Sequence, residues 1–193
     1  MPAFTTDGAR GGGPRGFTLV EFMVAVLLSG LVMTGILTTN LQLVRSGVRL
    51  TQYAEMSSQV RRGVGQFAGD VKNAVYITWN GPSDITLTVP SLAGTTTQVT
   101  YAWTSATQSF FLVPGASSAV TAGRVYLVQG IPPLADGSAG CIFTRYDKDG
   151  NPATTDAATK KVQVSLNAAR TARTAATSTD TTVSAIFVLR NKP

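Results

Sequence analysis

Glu21 stands at the head of an uncharged apolar stretch that runs from Phe22 to Val44. A carboxylate at the edge of such a segment is strongly disfavoured in hydrocarbon, so its presence there marks a functional position. The residues before it are Gly16-Phe17-Thr18-Leu19-Val20. If the chain is cut between Gly16 and Phe17, Phe17 becomes the new amino terminus and Glu21 the fifth residue of the mature chain. A carboxylate four residues behind a terminal ammonium can meet that charge one helical turn away, or meet the same charge on a neighbouring copy. The chemistry on offer is charge pairing in an apolar setting.

Other chemistry is poorly served. The chain has no histidine, which removes the commonest general base and metal ligand and every Ser-His-Asp or Cys-His arrangement. The spacing of the acids points to no catalytic carboxylate pair, and the chain reads as no enzyme. Its one cysteine, Cys141, cannot form an internal disulfide and reads as a small buried hydrophobe at the start of an apolar strand. Trp79 and Trp103 read as core or interface aromatics. Asp147-Lys148-Asp149-Gly150-Asn151 is like the opening of a calcium loop, with Asp156 nearby. The glycine falls at the fourth place instead of the sixth, however, and Ala158 holds the twelfth place, where a calcium loop has Glu. A hairpin connection explains Asp-Gly-Asn-Pro without a metal. No cofactor is expected, and Asp147, Asp149, Asn151 and Asp156 stand as the calcium candidates.

The net charge of +6 raises the question of nucleic acid. The positive residues are scattered: Arg45, Arg49, Arg61, Arg62 and Lys72 on a helix, Arg170 and Arg173 in a loop. No aromatic platform is interleaved with them, and a solvated helix face accounts for most. Nucleic acid is therefore disfavoured as a partner.

The elements that must position Glu21 and its neighbours follow from periodicity. Of the 193 residues, 177 lie after Gly16, enough for one membrane helix and one small domain. Residues 1–16 are Gly-rich and polar, with Arg10 and Arg15 near the junction, and read as a leader. Residues 17–44 exceed the roughly 20 needed to span a bilayer. From Tyr53 the apolar positions Tyr53, Met56, Val60, Val64, Phe67 and Val71 recur every three or four residues, with charged residues between them. That is the stripe of a helix lying on a globular domain, so residues 45–75 continue the same helix. The pattern predicts one helix from about Phe17 to about Ala74, some ~80 Å at 1.5 Å per residue. It contains no proline, so no sharp kink is expected. Its glycines fit either close helix packing or local loosening, with Gly30 and Gly35 the positions to watch.

After Ala74 the period changes to two. Candidate strands are Ile85–Val89, Val99–Trp103, Ser109–Val113, Arg124–Gln129, Ile142–Asp147, Val162–Leu166 and Val183–Arg190. Asn80-Gly81-Pro82, Pro114-Gly115 and Pro132-Pro133 mark turns or loops. Residues 76–193 thus read as a β-rich head, its antiparallel sheet covered on one face by the striped half of the helix. Ala168–Thr182, an Ala/Thr/Arg-rich segment, reads as an exposed loop. The expected fold class is α+β.

Gly16-Phe17-Thr18-Leu19-Val20-Glu21, behind a short polar leader and before a long apolar helix, resembles the type IV pilin family. An ordinary single-span anchor gives no reason for Glu21. A secretory signal should have a shorter apolar core, with a small-residue cleavage site after it. A lipoprotein signal needs a cysteine close behind the apolar run, and Cys141 is far downstream. Gln59-Val60-Arg61-Arg62, Phe67-x-x-Asp70-Val71-Lys72 and the terminal Val188-Leu189-Arg190-Asn191 resemble minor pilins of the W type and pseudopilins of the J type. Missing the disulfide that closes many major pilins fits that narrower likeness.

The resemblance implies a structural subunit of a type IV pilus or of a type II secretion pseudopilus. A prepilin peptidase would cleave between Gly16 and Phe17 and methylate the Phe17 amine. Glu21 would be the docking charge and Phe17 its partner. The implied partners are other pilin or pseudopilin subunits, the peptidase, an inner-membrane assembly platform and membrane lipid. The implied location is the bacterial inner membrane, single-pass with the head outside the cytoplasm, and then the filament. The competing class is a membrane-anchored DNA-uptake or adhesion module whose β head binds a ligand.

Overall fold

A computed structural model describes residues 16–91, 94–134, 136–170 and 179–192. Helix α1, Leu19–Asn73, is followed by strands β1 Tyr76–Gly81, β2 Asp84–Pro90, β3 Thr96–Thr104, β4 Ser109–Pro114, β5 Val125–Gln129, β6 Cys141–Tyr146, β7 Lys161–Arg170 and β8 Thr179–Val188. The chain divides into a first unit that ends at Arg45 and a second, Ser46–Pro193.

In the first unit the helix is apolar and exposed, and it is long and apolar enough to cross a membrane. Its hydroxyls are turned back on the backbone: Ser29 Oγ donates to Ala25 O at 2.7 Å, Thr34 Oγ1 to Gly30 O at 2.8 Å and Thr39 Oγ1 to Gly35 O at 2.9 Å. Such bonds satisfy these hydroxyls within the helix itself, as a membrane-crossing helix requires. Gly30 and Gly35 sit in open space within an unbroken helix.

In the second unit the helix buries Met56, Val60, Gly63, Phe67 and Val71, one stripe at intervals of three and four. Tyr53, placed on that stripe by the period, is 49 % exposed, and Gly63 takes a place on it that apolar counting passes over. A Cβ at Gly63 would lie 3.0 Å from Val128 Cγ2 and 3.1 Å from Leu127 Cβ, so the missing side chain lets β5 approach the helix. Phe67 is the centre of the core. Its ring lies 5.0 Å from Tyr101, 5.5 Å from Phe143, 5.8 Å from Phe187 and 6.3 Å from Phe110. All but the tilted Phe143 contact are edge-on, and such contacts add to simple area burial.

Among the described residues the head holds two antiparallel sheets where the sequence predicts one: β1-β2-β3-β4-β5 and β6-β7-β8. Phe143 N donates to Pro82 O at 2.6 Å, linking β6 to the β1–β2 turn. Strand β1 is absent from the period-two reading. Its Ile77 is fully buried, whereas Thr78 and Trp79 beside it are both half-buried, so the apolar alternation is weak. The five-stranded sheet is not solvated on its outer face. Ala102, Phe111 and Val113 form a small second cluster there. Residues 115–124 lie over that face: Gly115 O accepts from Thr100 Oγ1 at 2.7 Å, and the Arg124 guanidinium stacks 4.2 Å from the Phe111 ring.

Of the expected loop over Ala168–Thr182, the described parts, residues 168–170 and 179–182, are strand. β7 and β8 pair in continuous register from Lys161↔Val188 to Arg170↔Thr179. Ala168 pairs with Thr181 and Ala169 with Asp180, residues whose composition alone reads as low complexity. Arg170 therefore ends a strand, and Arg173 lies outside the described residues, as does the leader up to residue 15.

Candidate functional site

Gly16, Phe17, Thr18 and Glu21 line one shallow concavity at the start of the helix. Thr18 is the residue before the first helical position, and it and Glu21 bond reciprocally. Glu21 N donates to Thr18 Oγ1 at 3.2 Å, Thr18 N donates to Glu21 Oε2 at 3.0 Å, and Thr18 Oγ1 donates to the same oxygen at 3.0 Å. This is a capping box, Thr-x-x-Glu, which satisfies two of the N–H groups a helix start leaves without partners. The sequence reading paired Glu21 with a terminal ammonium, its own or a neighbour's, and missed the Thr18 partner. The signal was present, since Thr18 and Glu21 stand three apart just before an apolar run.

Two consequences follow from the geometry. The Thr18 N–H is an amide before and after cleavage at Gly16, so the capping box survives processing. Phe17 is 86 % exposed, and its nitrogen is outside the box. The hydrogen bonds to the carboxylate converge on Oε2, and Oε1 keeps its acceptor capacity. A carboxylate held in one rotamer is a better docking charge than one that must be ordered on contact.

Of the calcium candidates, Asp147, Asp149 and Asn151 share one turn, and Asp156 faces other partners. Asp147 Oδ1 accepts from the backbone N–H groups of Asp149, Gly150 and Asn151 at 2.9, 2.8 and 2.9 Å, a turn closed on its own carboxylate. Those bonds hold the Asp147 carboxyl below the usual carboxylate range. Asp156 is engaged elsewhere, with Arg145 Nη1 at 2.5 Å and with Trp79 N at 3.2 Å. Arg145 also lies 4.9 Å over the Trp79 ring. Among the described residues no cluster of three acidic, Cys or His side chains could hold a metal ion. β6 and β7 pair from Tyr146↔Lys161 inward, so the segment is the connection of a hairpin.

Cys141 is fully buried and free, and burial pushes its thiol up to about 12. Trp103 donates its ring N–H to Ile131 O at 3.0 Å, and both tryptophans pack against the main core. The helix cations Arg45, Arg61, Arg62 and Lys72 are exposed.

Residues 13–37 match the prokaryotic N-terminal methylation motif. No curated protein matches the chain. The motif covers the candidate cleavage junction, Thr18, Glu21 and the first half of the apolar helix. Together with the long helix packed on antiparallel sheets, it indicates a type IV pilin-like or pseudopilin-like protein with a membrane-anchoring helix. Proteins carrying this motif are structural and not enzymatic, and the motif suggests processing by a prepilin peptidase and assembly with other pilin subunits.

Proposed function

We propose that the chain is a minor pilin or pseudopilin, cleaved between Gly16 and Phe17, methylated at the Phe17 amine and assembled through its N-terminal helix. It serves a type IV pilus or a type II secretion pseudopilus as a structural subunit. The observation that carries this reading is the coincidence of the methylation motif over residues 13–37 with a helix start where Glu21 is locked by Thr18 and Phe17 is exposed. In the filament core the free Glu21 oxygen would meet the Phe17 ammonium of a neighbouring subunit, and the apolar surface of residues 22–44 would replace lipid with neighbouring helices. The head stands outside the cytoplasm.

The competing uses of Glu21 separate in one experiment. If it only caps the helix, Glu21→Gln retains much of the box and should assemble normally, since Gln serves at that position too. If it docks a cation, Glu21→Gln and Glu21→Leu should both leave the subunit in the membrane and remove it from sheared filaments. Wild-type amounts of either variant in sheared filaments would refute the docking role.

A further inference from the structure

Lys192 carries a charge but is only 8 % exposed. Its ammonium donates to the carbonyl oxygen of Asp156, to that of Ala157 at 2.9 Å and to that of Thr159 at 2.8 Å. An ammonium has three N–H donors, and three carbonyls meet them. The ring of Tyr76 lies 5.9 Å away. The carbonyls converge because residues 155–159 form a single tight turn: Thr159 Oγ1 donates to Thr155 O at 2.9 Å, and Ala158 N to Thr155 Oγ1 at 3.2 Å. The end of such a turn leaves carbonyls with acceptor capacity to spare; Asp156 O also accepts from Thr159 N at 3.3 Å.

The same tail is tied on both sides. Leu189 N donates to Lys160 O at 2.9 Å, Lys160 Nζ to Lys192 O at 3.2 Å, and Asn191 Nδ2 to Asn73 O, at the end of α1, at 3.3 Å. Lys192 thus sits where the final segment, the 147–160 connection and the helix end are gathered together. Burial and the neighbouring Lys160 push the Lys192 ammonium down from its ordinary value, and Asp156 acts the other way. The three carbonyl dipoles replace the water the ammonium has lost.

We propose that the carbonyls of Asp156, Ala157 and Thr159 form a cradle for a monovalent cation, filled by the chain's own Lys192 ammonium, and that this contact fastens the head shut in a chain with no disulfide to do so. The ligand class is set by the donors. Three neutral carbonyls suit a primary ammonium, whereas a calcium ion takes six to eight oxygens, several of them from carboxylates. The nearby Asp156 carboxylate is engaged by Arg145, whose positive charge further disfavours a divalent ion.

The test uses the full chain in detergent micelles. Lys192→Ala removes the side chain beyond Cβ, and n-propylammonium replaces the lost atoms. Thermal unfolding of the head should fall by about 5 °C or more in this variant. Trypsin cleavage after Lys148, in the exposed connection, should quicken at least ~10-fold through local opening. n-Propylammonium chloride at ~100 mM should recover more than half of both effects, and n-propanol or sodium chloride at the same concentration should recover neither. Lys192→Met keeps the stem volume but loses the donors. It should fall as far as Lys192→Ala and gain nothing from n-propylammonium. A wild-type midpoint in Lys192→Met would overturn the proposal. So would equal recovery by n-propanol, which would make the site a filled cavity, and so would no recovery at all.

Discussion

Replacing Gly63 with alanine should destabilise the head, while the same change two residues on at Gly65 should stabilise it. Both positions lie in the interior of α1, and alanine gains up to about 1 kcal/mol of helix propensity at either. They differ in what the new methyl meets. At Gly65 it enters open space, with nothing within 4 Å. At Gly63 it lies 3.0 Å from Val128 Cγ2 and 3.1 Å from Leu127 Cβ, and both neighbours belong to β5, which must give by a few tenths of an ångström. Overpacking of a core contact costs about 1–3 kcal/mol. Gly63→Ala should then be destabilising by up to about 2 kcal/mol and Gly65→Ala stabilising by up to about 1 kcal/mol. The gap between them is the overpacking cost alone, because propensity cancels. For a head of this size it corresponds to about 2–12 °C in thermal midpoint. Urea and thermal unfolding of the two variants in the same detergent give the comparison. Equal shifts would mean that β5 does not rest on the helix at Gly63, and the packing described for the second unit would be wrong.

Two further outcomes are expected. Cys141 should resist maleimide in the folded protein and react on unfolding in urea. Its raised thiol pKa makes a contribution to stability that is full below about 9 and is lost as pH rises toward about 12, because the unfolded thiol ionises first; a Cys141→Ser variant should lack that part of the alkaline decline, and fast labelling under native conditions would contradict the burial. Deleting the gene should sharply lower filament number while the protein remains a small fraction of filament mass by quantitative peptide counting, and a dominant share would make it the major subunit instead.

The helix was legible because one side chain in every three or four must be apolar to lie on a sheet, and Met56, Val60, Val64, Phe67 and Val71 keep that spacing. Gly63 was not, since a close approach is recorded by a missing side chain. Seven strands were visible as alternation. Strand β1 was not, because its flanks meet the helix end and Asp156 instead of an evenly apolar face. The β7–β8 pairing of Ala168 with Thr181 and Arg170 with Thr179 was hidden by residues whose composition reads as loop until a partner strand is placed beside them. At the helix start, Gly16, Phe17 and Glu21 stood out by type and spacing, and the Thr18 half of the capping box was readable but overshadowed by the charge. Lys192 had no sequence signal at all. Its acceptors are backbone carbonyls some thirty residues earlier, and backbone atoms carry no identity in a sequence.

The central claim is that Phe17 becomes the amino terminus of a subunit that docks by charge, and intact-mass and N-terminal peptide analysis of the protein from the membrane fraction tests it most directly. The account predicts a chain beginning at Phe17 with one added methyl group on its amine, and an uncut precursor when Gly16 is replaced by valine. A chain that keeps residues 1–16 in wild-type cells, or a mature terminus anywhere other than Phe17, would contradict it.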